Sequence, residues 1–336
     1  MEREFGDVLT DSWDEFKKNW KLFFKIFLLF YVLPFIIVFA ISFFLQVPIQ
    51  EKFTLIEAEE MGFGELSGDF WKSVGIVGIL SIIAGLFYLF TSSCFYFHSI
   101  YSKNKQDFGK VVSGGKKYFW KYFGLMIVLF LFAFIVILIA SILSGILIFA
   151  LRSVLVLAIL LVVLIVLGAL IVLIKYFTSW ALAPYFLIAE NKRIIDSLRN
   201  SFSLVKGNWW VVFAYGIMLG VFILIINIIF AIIGFIFLIP FGVLSVVSGA
   251  EVSGIGFAGQ LIDGIFSLIV TFITVPIGII LFKNVYLDLK KEKGNGKKEE
   301  NEENEEEKKE KKKAKVKEEE EKKAKKEKEN ETSRKK

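Results

Sequence analysis

The chain has one histidine, His98, and one cysteine, Cys94, and this scarcity bounds its chemistry. One cysteine allows no disulfide within the chain and no cysteine-based metal site. One histidine excludes a zinc site built on a histidine pair and argues against a Ser-His-Asp triad. Lys175 is the residue whose type and setting most invite a role. It sits inside a long apolar run, about 14 residues before the run ends, roughly 21 Å at the rise of an α-helix. A lysine at that depth in a bilayer is costly unless it is paired, hydrated or able to snorkel. Two readings follow: a lysine lining a path for an anion, a lipid headgroup or a proton, or an ion pair or carbonyl cap that holds helices together, with Asp263 as a partner. Pro184 and Glu190 close the same run. Pro184 and Pro276 each remove a backbone donor and read as static kinks. Lys25 and Lys283, near the ends of apolar runs, read as snorkelling lysines. His98, beside Tyr101, reads as an interfacial aromatic. Gly254-x-Gly256-x-x-Gly259 has the form of a dinucleotide fingerprint but no βαβ unit around it. No paired carboxylates, metal set, nucleophile–base pair or phosphate loop stands in the apolar runs. The expectation is a protein that is not an enzyme and needs no cofactor.

The elements that carry these residues are set by composition. Of 336 residues, 55% are apolar and 37 are Phe, and mean hydropathy is +0.62. Charge is confined: 36 of the 47 residues from 290 to 336 are charged, leaving 38 charges for the first 289. Residues 1–289 therefore read as a membrane domain and 290–336 as a Lys/Glu-rich tail. A bilayer-crossing helix needs roughly 20 apolar residues, and six runs qualify, at about 22–46, 73–99, 119–147, 153–189, 209–238 and 262–288. The first is too long for the apolar part of a signal peptide and reads as an uncleaved anchor. The third and fourth blur together, with Ser144, Gly145 and Arg152 marking a tight turn. The fourth is overlong and must tilt, kink or project.

Connection charge predicts the orientation. The first connection holds Glu51, Glu57, Glu59, Glu60, Glu65 and Asp69 against Lys52 and Lys72. The second holds Lys103, Lys105, Lys110, Lys116 and Lys117 against Asp107. The third has Arg152 alone. The fourth has Lys192, Arg193, Arg199 and Lys206, and the fifth has no Lys or Arg. Basic and non-basic connections alternate, which places both termini in the cytoplasm of a cell-membrane protein. Trp20, Trp71, Trp120, Trp209 and Trp210 fall at the ends of runs, where indole rings favour the headgroup zone. The tail has no aromatic residue and cannot bury a core; it reads as disordered on its own or partly helical, with Glu→Lys pairs at i,i+4. Its net charge of +4 suits weak attraction to anionic lipid headgroups, while its interleaved acids argue against nucleic acid as a partner.

The chain also repeats itself. Asp7, Leu9, Ser12, Lys17, Asn19 and Trp20 recur as Asp196, Leu198, Ser201, Lys206, Asn208 and Trp209, six identities in 14 positions. A third copy before the third run keeps Asp107, Lys117 and Trp120 but has Ser113-Gly114-Gly115 in its middle. Phe5, Leu9, Trp13, Phe16 and Trp20 lie at helical steps of three and four, as do Ile194, Leu198, Phe202, Val205 and Trp209. The fold predicted is an all-α polytopic membrane protein with six transmembrane helices in three parallel repeats. Each repeat is a lysine-bearing amphipathic helix lying in the membrane interface, then two spans. The chain turns into the bilayer at Trp20 and at Trp209.

Residues 175–213 carry the most specific signal: Lys175, Ala183-Pro184, Ile188-Ala189-Glu190, Asp196-Ser197-Leu198-Arg199-Asn200-Ser201-Phe202 and Val205-Lys206-Gly207-Asn208-Trp209. This segment resembles the membrane domain fused to some glycerophosphoryl diester phosphodiesterases, and related stand-alone six-span proteins. The resemblance implies a six-helix integral membrane module. It implies no phosphodiesterase activity, because the catalytic part of the fused relatives is a separate soluble barrel. The function expected is a non-catalytic membrane module that organises lipid or partner proteins at the cytoplasmic membrane face. Its partners are the bilayer, anionic headgroups and other membrane proteins. The alternative is a transporter or channel with Lys175 lining the path.

Overall fold

The structure is a computed structural model that describes residues 4–38, 40–41, 68–102, 107–248 and 262–294. Among these residues there is no strand, and six helices are long and apolar enough to cross a membrane. The chain fits a multi-pass membrane protein. Helix α1 spans Phe5–Phe27 and continues through a π-helical turn, Leu28–Val32, to Val38. The other helices are α2 (Gly68–Tyr101), α3 (Phe108–Ala150), α4 (Leu155–Trp180), α5 (Ala183–Ala189), α6 (Ile194–Val205), α7 (Trp209–Ser248) and α8 (Ile262–Gly294). Glu2–Tyr286 form one compact unit and Leu287–Lys336 a second, whose described residues, 287–294, are helical. The tail beyond 294, most of the first connection and Gly254-x-Gly256-x-x-Gly259 lie outside the described residues.

Local sequence explains each boundary. The π turn comes just before Pro34, which has no N–H to return to Phe30. The Leu33 N–H reaches back five residues to the Leu28 carbonyl, and the ladder widens there. The overlong fourth run is in fact two helices. The chain breaks at Ala181 and Leu182, and Pro184 is the second residue of α5, where a missing N–H costs nothing. Pro184 therefore starts a helix and does not kink one. The α3–α4 turn falls at 151–154, around Arg152, and Ser144 and Gly145 lie inside α3.

The predicted break before each membrane run appears once. Helix α6 ends at Val205, and Gly207 takes φ +99°, a conformation that favours glycine. Asn208 then precedes α7, its carbonyl accepting from the Val212 N–H at 3.1 Å. In the first copy Lys18 stands where Gly207 stands in the third, and α1 runs straight through Asn19 and Trp20. The Asn19 amide, no longer at a helix start, donates to the Glu15 carbonyl at 2.9 Å. Helix α3 likewise runs through Trp120 unbroken.

Buried residues fall into two apolar clusters. One joins Phe16, Phe23, Ile26 and Phe27 of α1 to Cys94 and Phe95 of α2, Val111 of α3, and Ile277, Ile279 and Ile280 of α8. The other joins Tyr118 and Leu125 of α3 to Ala183, Leu187 and Ile188 of α5 and Leu198 of α6. Helices α2 and α3 approach closely because of Gly114 and Gly115: a Cβ on Gly114 would strike the Phe97 ring, and one on Gly115 the Cys94 sulfur. This is the physical reason the middle of the second copy departs from the other two. In α3, α4 and α7 only 6% of the most apolar stretch is buried, whereas α8 is the most enclosed of the six.

Candidate functional site

Polar side chains meet where the start of α1, the ends of α2 and α8, and α5 converge. Glu15 of α1 forms an ion pair with Lys283 of α8. Lys283 is 7% exposed, so it does not snorkel as its place near a run's end predicts; a carboxylate 268 residues away in sequence holds it inside the bundle. Ser102, after α2, donates to the same carboxylate at 3.2 Å. One turn before Glu15, Ser12 is fully buried; it donates to the Val8 carbonyl at 2.6 Å and accepts from the Asn284 amide at 3.1 Å. His98 of α2 sits against this group with its ring edge-on to Phe23 at 5.1 Å. It is 2% exposed, and neither imidazole nitrogen has a hydrogen-bond partner.

A second set surrounds α5, in which Ala183 to Ile188 are all buried. The Tyr185 hydroxyl donates to the Ile279 carbonyl of α8 at 2.7 Å. Its ring packs on Tyr96 at 5.2 Å and on Tyr286 at 5.7 Å. The Tyr286 hydroxyl donates to Glu190 at 2.9 Å, and Lys192 lies 3.7 Å from the same carboxylate. Tyr101 donates to the Ile188 carbonyl at 3.3 Å, and Lys121 of α3 to the Asn191 side chain at 2.8 Å. Asn191 takes φ +52°, a value asparagine tolerates, and so ends α5 tightly. Buried polar groups so connected stiffen a bundle and fix one arrangement of its helices. The imidazole of His98 bonds neither hydroxyl near it: Ser99 donates to the Tyr96 carbonyl, and Ser102 to Glu15 and the Ser99 carbonyl. The arrangement can hold helices together and can hold or exchange a proton; it aligns no base on a nucleophile.

The predicted residues distribute unevenly around this site. Ser12 and Glu190 belong to it, and Pro184 starts the helix at its centre. Lys175 does not: its side chain is exposed on α4. Lys175 is five residues before the end of α4 at Trp180, and the span that α4 and α5 make together ends at Ala189, as far on as predicted. Its carbonyl accepts from the Trp209 indole, at the first residue of α7, at 3.3 Å, and from Ser179 at 2.8 Å. Asp7 and Asp196 are each the third residue of their helices, whereas Asp107 caps α3 from outside, accepting from the Lys110 N–H at 3.2 Å. Ser201 is fully buried and donates to the Ser179 carbonyl of α4 at 2.7 Å. Lys17 pairs with Asp14 at 2.8 Å on the exposed side, Lys206 is exposed, and Lys117 lies 5.3 Å from the Tyr118 ring. Trp20 and Trp120 are exposed.

The sequence reading missed Glu15, His98 and Lys283 as a group, and Tyr185 and Tyr286. Only burial in a charged pair distinguishes Lys283 from a snorkelling lysine, and no local pattern reports it. Comparison with protein-family models, with curated proteins and with solved structures gives no match for this chain.

Proposed function

We propose that the chain is a non-catalytic cell-membrane module that organises lipid or partner proteins, built from three repeats of an amphipathic segment and two spans. The observation that carries this reading is a contact that recurs at each junction. Ser93, in the second span of the first repeat, bonds Gly115 in the segment opening the second, at 3.0 Å. Ser179, in the second span of the second, accepts from Ser201 in the segment opening the third, at 2.7 Å. Both pairs are 22 residues apart. Asn284, in the second span of the third, bonds Ser12 in the first and closes the cycle. Burial supports the same alignment. Counted from Asp7 and from Asp196, the three positions buried in the first segment are buried in the third as well: Val8 with Ser197, Ser12 with Ser201, Phe16 with Val205; Leu198 and Leu204 are buried in the third alone. Ser12 and Ser201 thus join repeats through their side chains, and Gly115 through its carbonyl.

The exposed apolar sides of α3, α4 and α7 give such a module its surface for lipid or protein. The buried α5 fills the bundle at its polar end, and Lys175 faces outward at the level of Trp209, which supports a packed module over a path through Lys175. The basic connections support cytoplasmic termini, and the charged tail suits anionic headgroups. The likeness of residues 175–213 to the phosphodiesterase membrane domain belongs to the same proposal. Native mass spectrometry after gentle extraction tests it together with flux from vesicles of phosphatidylethanolamine and phosphatidylglycerol. The reading expects retained lipid or protein partners and no flux of small ions above empty vesicles. Flux that disappears in a Lys175→Met variant would overturn it.

A further inference from the structure

We propose that His98, Glu15 and Lys283 form a proton-operated clasp between α1 and α8, closed while His98 is neutral and loosened when His98 takes up a proton. The third copy has no counterpart of the clasp. The residue matching Glu15 in the third copy is Leu204, which is buried and apolar. The α4–α6 junction is thus held by Ser179, Ser201 and apolar packing, and the α8–α1 junction has a charged pair in addition. A buried ion pair is a poor source of stability compared with apolar packing of the same volume. Its presence where the first and last helices meet, beside the chain's one histidine, calls for a reason other than packing.

The geometry supplies one. His98 is enclosed, and neither nitrogen has a partner among the described residues. The charged groups that act on it are Glu15 from α1 and Lys283 from α8. On its own helix its titratable neighbours are Cys94 and Tyr101. Cys94 is turned toward Gly115, and Tyr101 donates to the Ile188 carbonyl. With neutral imidazole the pocket holds one acid and one base and no net charge. An added proton leaves a net positive charge out of water, and the imidazolium then has two donors and no acceptor of its own. The carboxylate nearest to it is already shared by Lys283 and Ser102. Either Glu15 turns to His98 and releases Lys283, or α1 moves away and admits water. Both outcomes break the bond between the first and last helices. Once the clasp opens and water reaches the ring, the imidazole regains the ordinary titration of histidine near neutral pH, so falling pH favours the opened state.

Hydrogen–deuterium exchange of the full chain in phosphatidylethanolamine–phosphatidylglycerol vesicles tests this, at pH 7.5 and 5.5 with rates corrected for intrinsic pH dependence. The amides of residues 11–19 are expected to exchange about tenfold faster at pH 5.5, one unit below the ordinary histidine value. In a His98→Phe variant the two pH values should give equal protection. If that variant is not extracted as a single species, His98→Gln takes its place with the same expectation. Equal protection at both pH values in the natural chain would overturn the clasp. So would an acceleration that persists without the imidazole.

Discussion

Lys283 is held in a largely buried ion pair with Glu15. Removing one partner of a buried ion pair leaves the other charge without compensation, at about 3–5 kcal/mol. Lys283→Met is therefore expected to lower the unfolding free energy of the extracted protein by about that amount, read from denaturant titration. The double variant Glu15→Leu, Lys283→Met should lose less than the single one, because no orphan charge remains. A double variant as weak as the sum of the two singles would mean that the pair does not form. At this scale the sequence was only partly legible. Ser12, Ser201 and Glu190 announced themselves through recurrence and spacing. Glu15 did not, because its partner lies 268 residues away and its counterpart in the repeat is an apolar leucine. The break at Ala181 and Leu182 was not legible because the apolar run continues over it without pause; Pro184 was the one local signal.

Elements show how a single residue decides whether two helices or one are made. The segments from Asp7 and from Asp196 share six residues, yet one flows into its span and the other stops. The difference falls at Lys18 against Gly207. Glycine, having no Cβ to crowd the backbone, adopts φ +99° freely, and lysine does not. Gly207→Ala should cost about 1–2 kcal/mol through backbone strain alone, since open space surrounds the position. A shift in unfolding midpoint of that size measures it, and no shift would show that the turn relaxes freely. Trp13 and Phe202, at one offset in their copies, are exposed to the same extent, 38% and 39%. Replacing both with Glu puts a charge at an apolar boundary of α1 and of α6. Membrane integration should stay normal, with faster protease cleavage of the extracted protein; cleavage at the natural rate would mark both faces as water-exposed. The amphipathic segments were legible as helices from their spacing. That two of them fuse with the following span was not, because an interfacial helix and the start of a span share apolar periodicity.

Over the whole molecule, the six helices long and apolar enough to cross a membrane could be read from the sequence, because a bilayer demands length and apolarity of a span. The described helices overlap all six predicted runs; the fifth starts at Trp209 as predicted, after Gly207, and the fourth is divided before Pro184. The cycle of contacts was not legible, since it depends on which helices become neighbours. Hydropathy carries little of that information when lipid and protein interior are equally apolar. Glycine carried some of it: Gly114 and Gly115 stand where α2 comes too close for any Cβ.

The closure of the last repeat on the first is the claim on which the account rests, and it places the Asn284 amide 3.1 Å from the Ser12 hydroxyl. Cysteines at these two positions, in a chain with Cys94→Ser, can be oxidised in intact membranes and the joined peptides identified by mass spectrometry. Mixing isotopically light and heavy chains before oxidation separates links within one chain from links between two. The account predicts rapid, nearly complete linkage in which light joins only light and heavy only heavy. Absence of linkage, or a mixed population of light–heavy pairs, would contradict it.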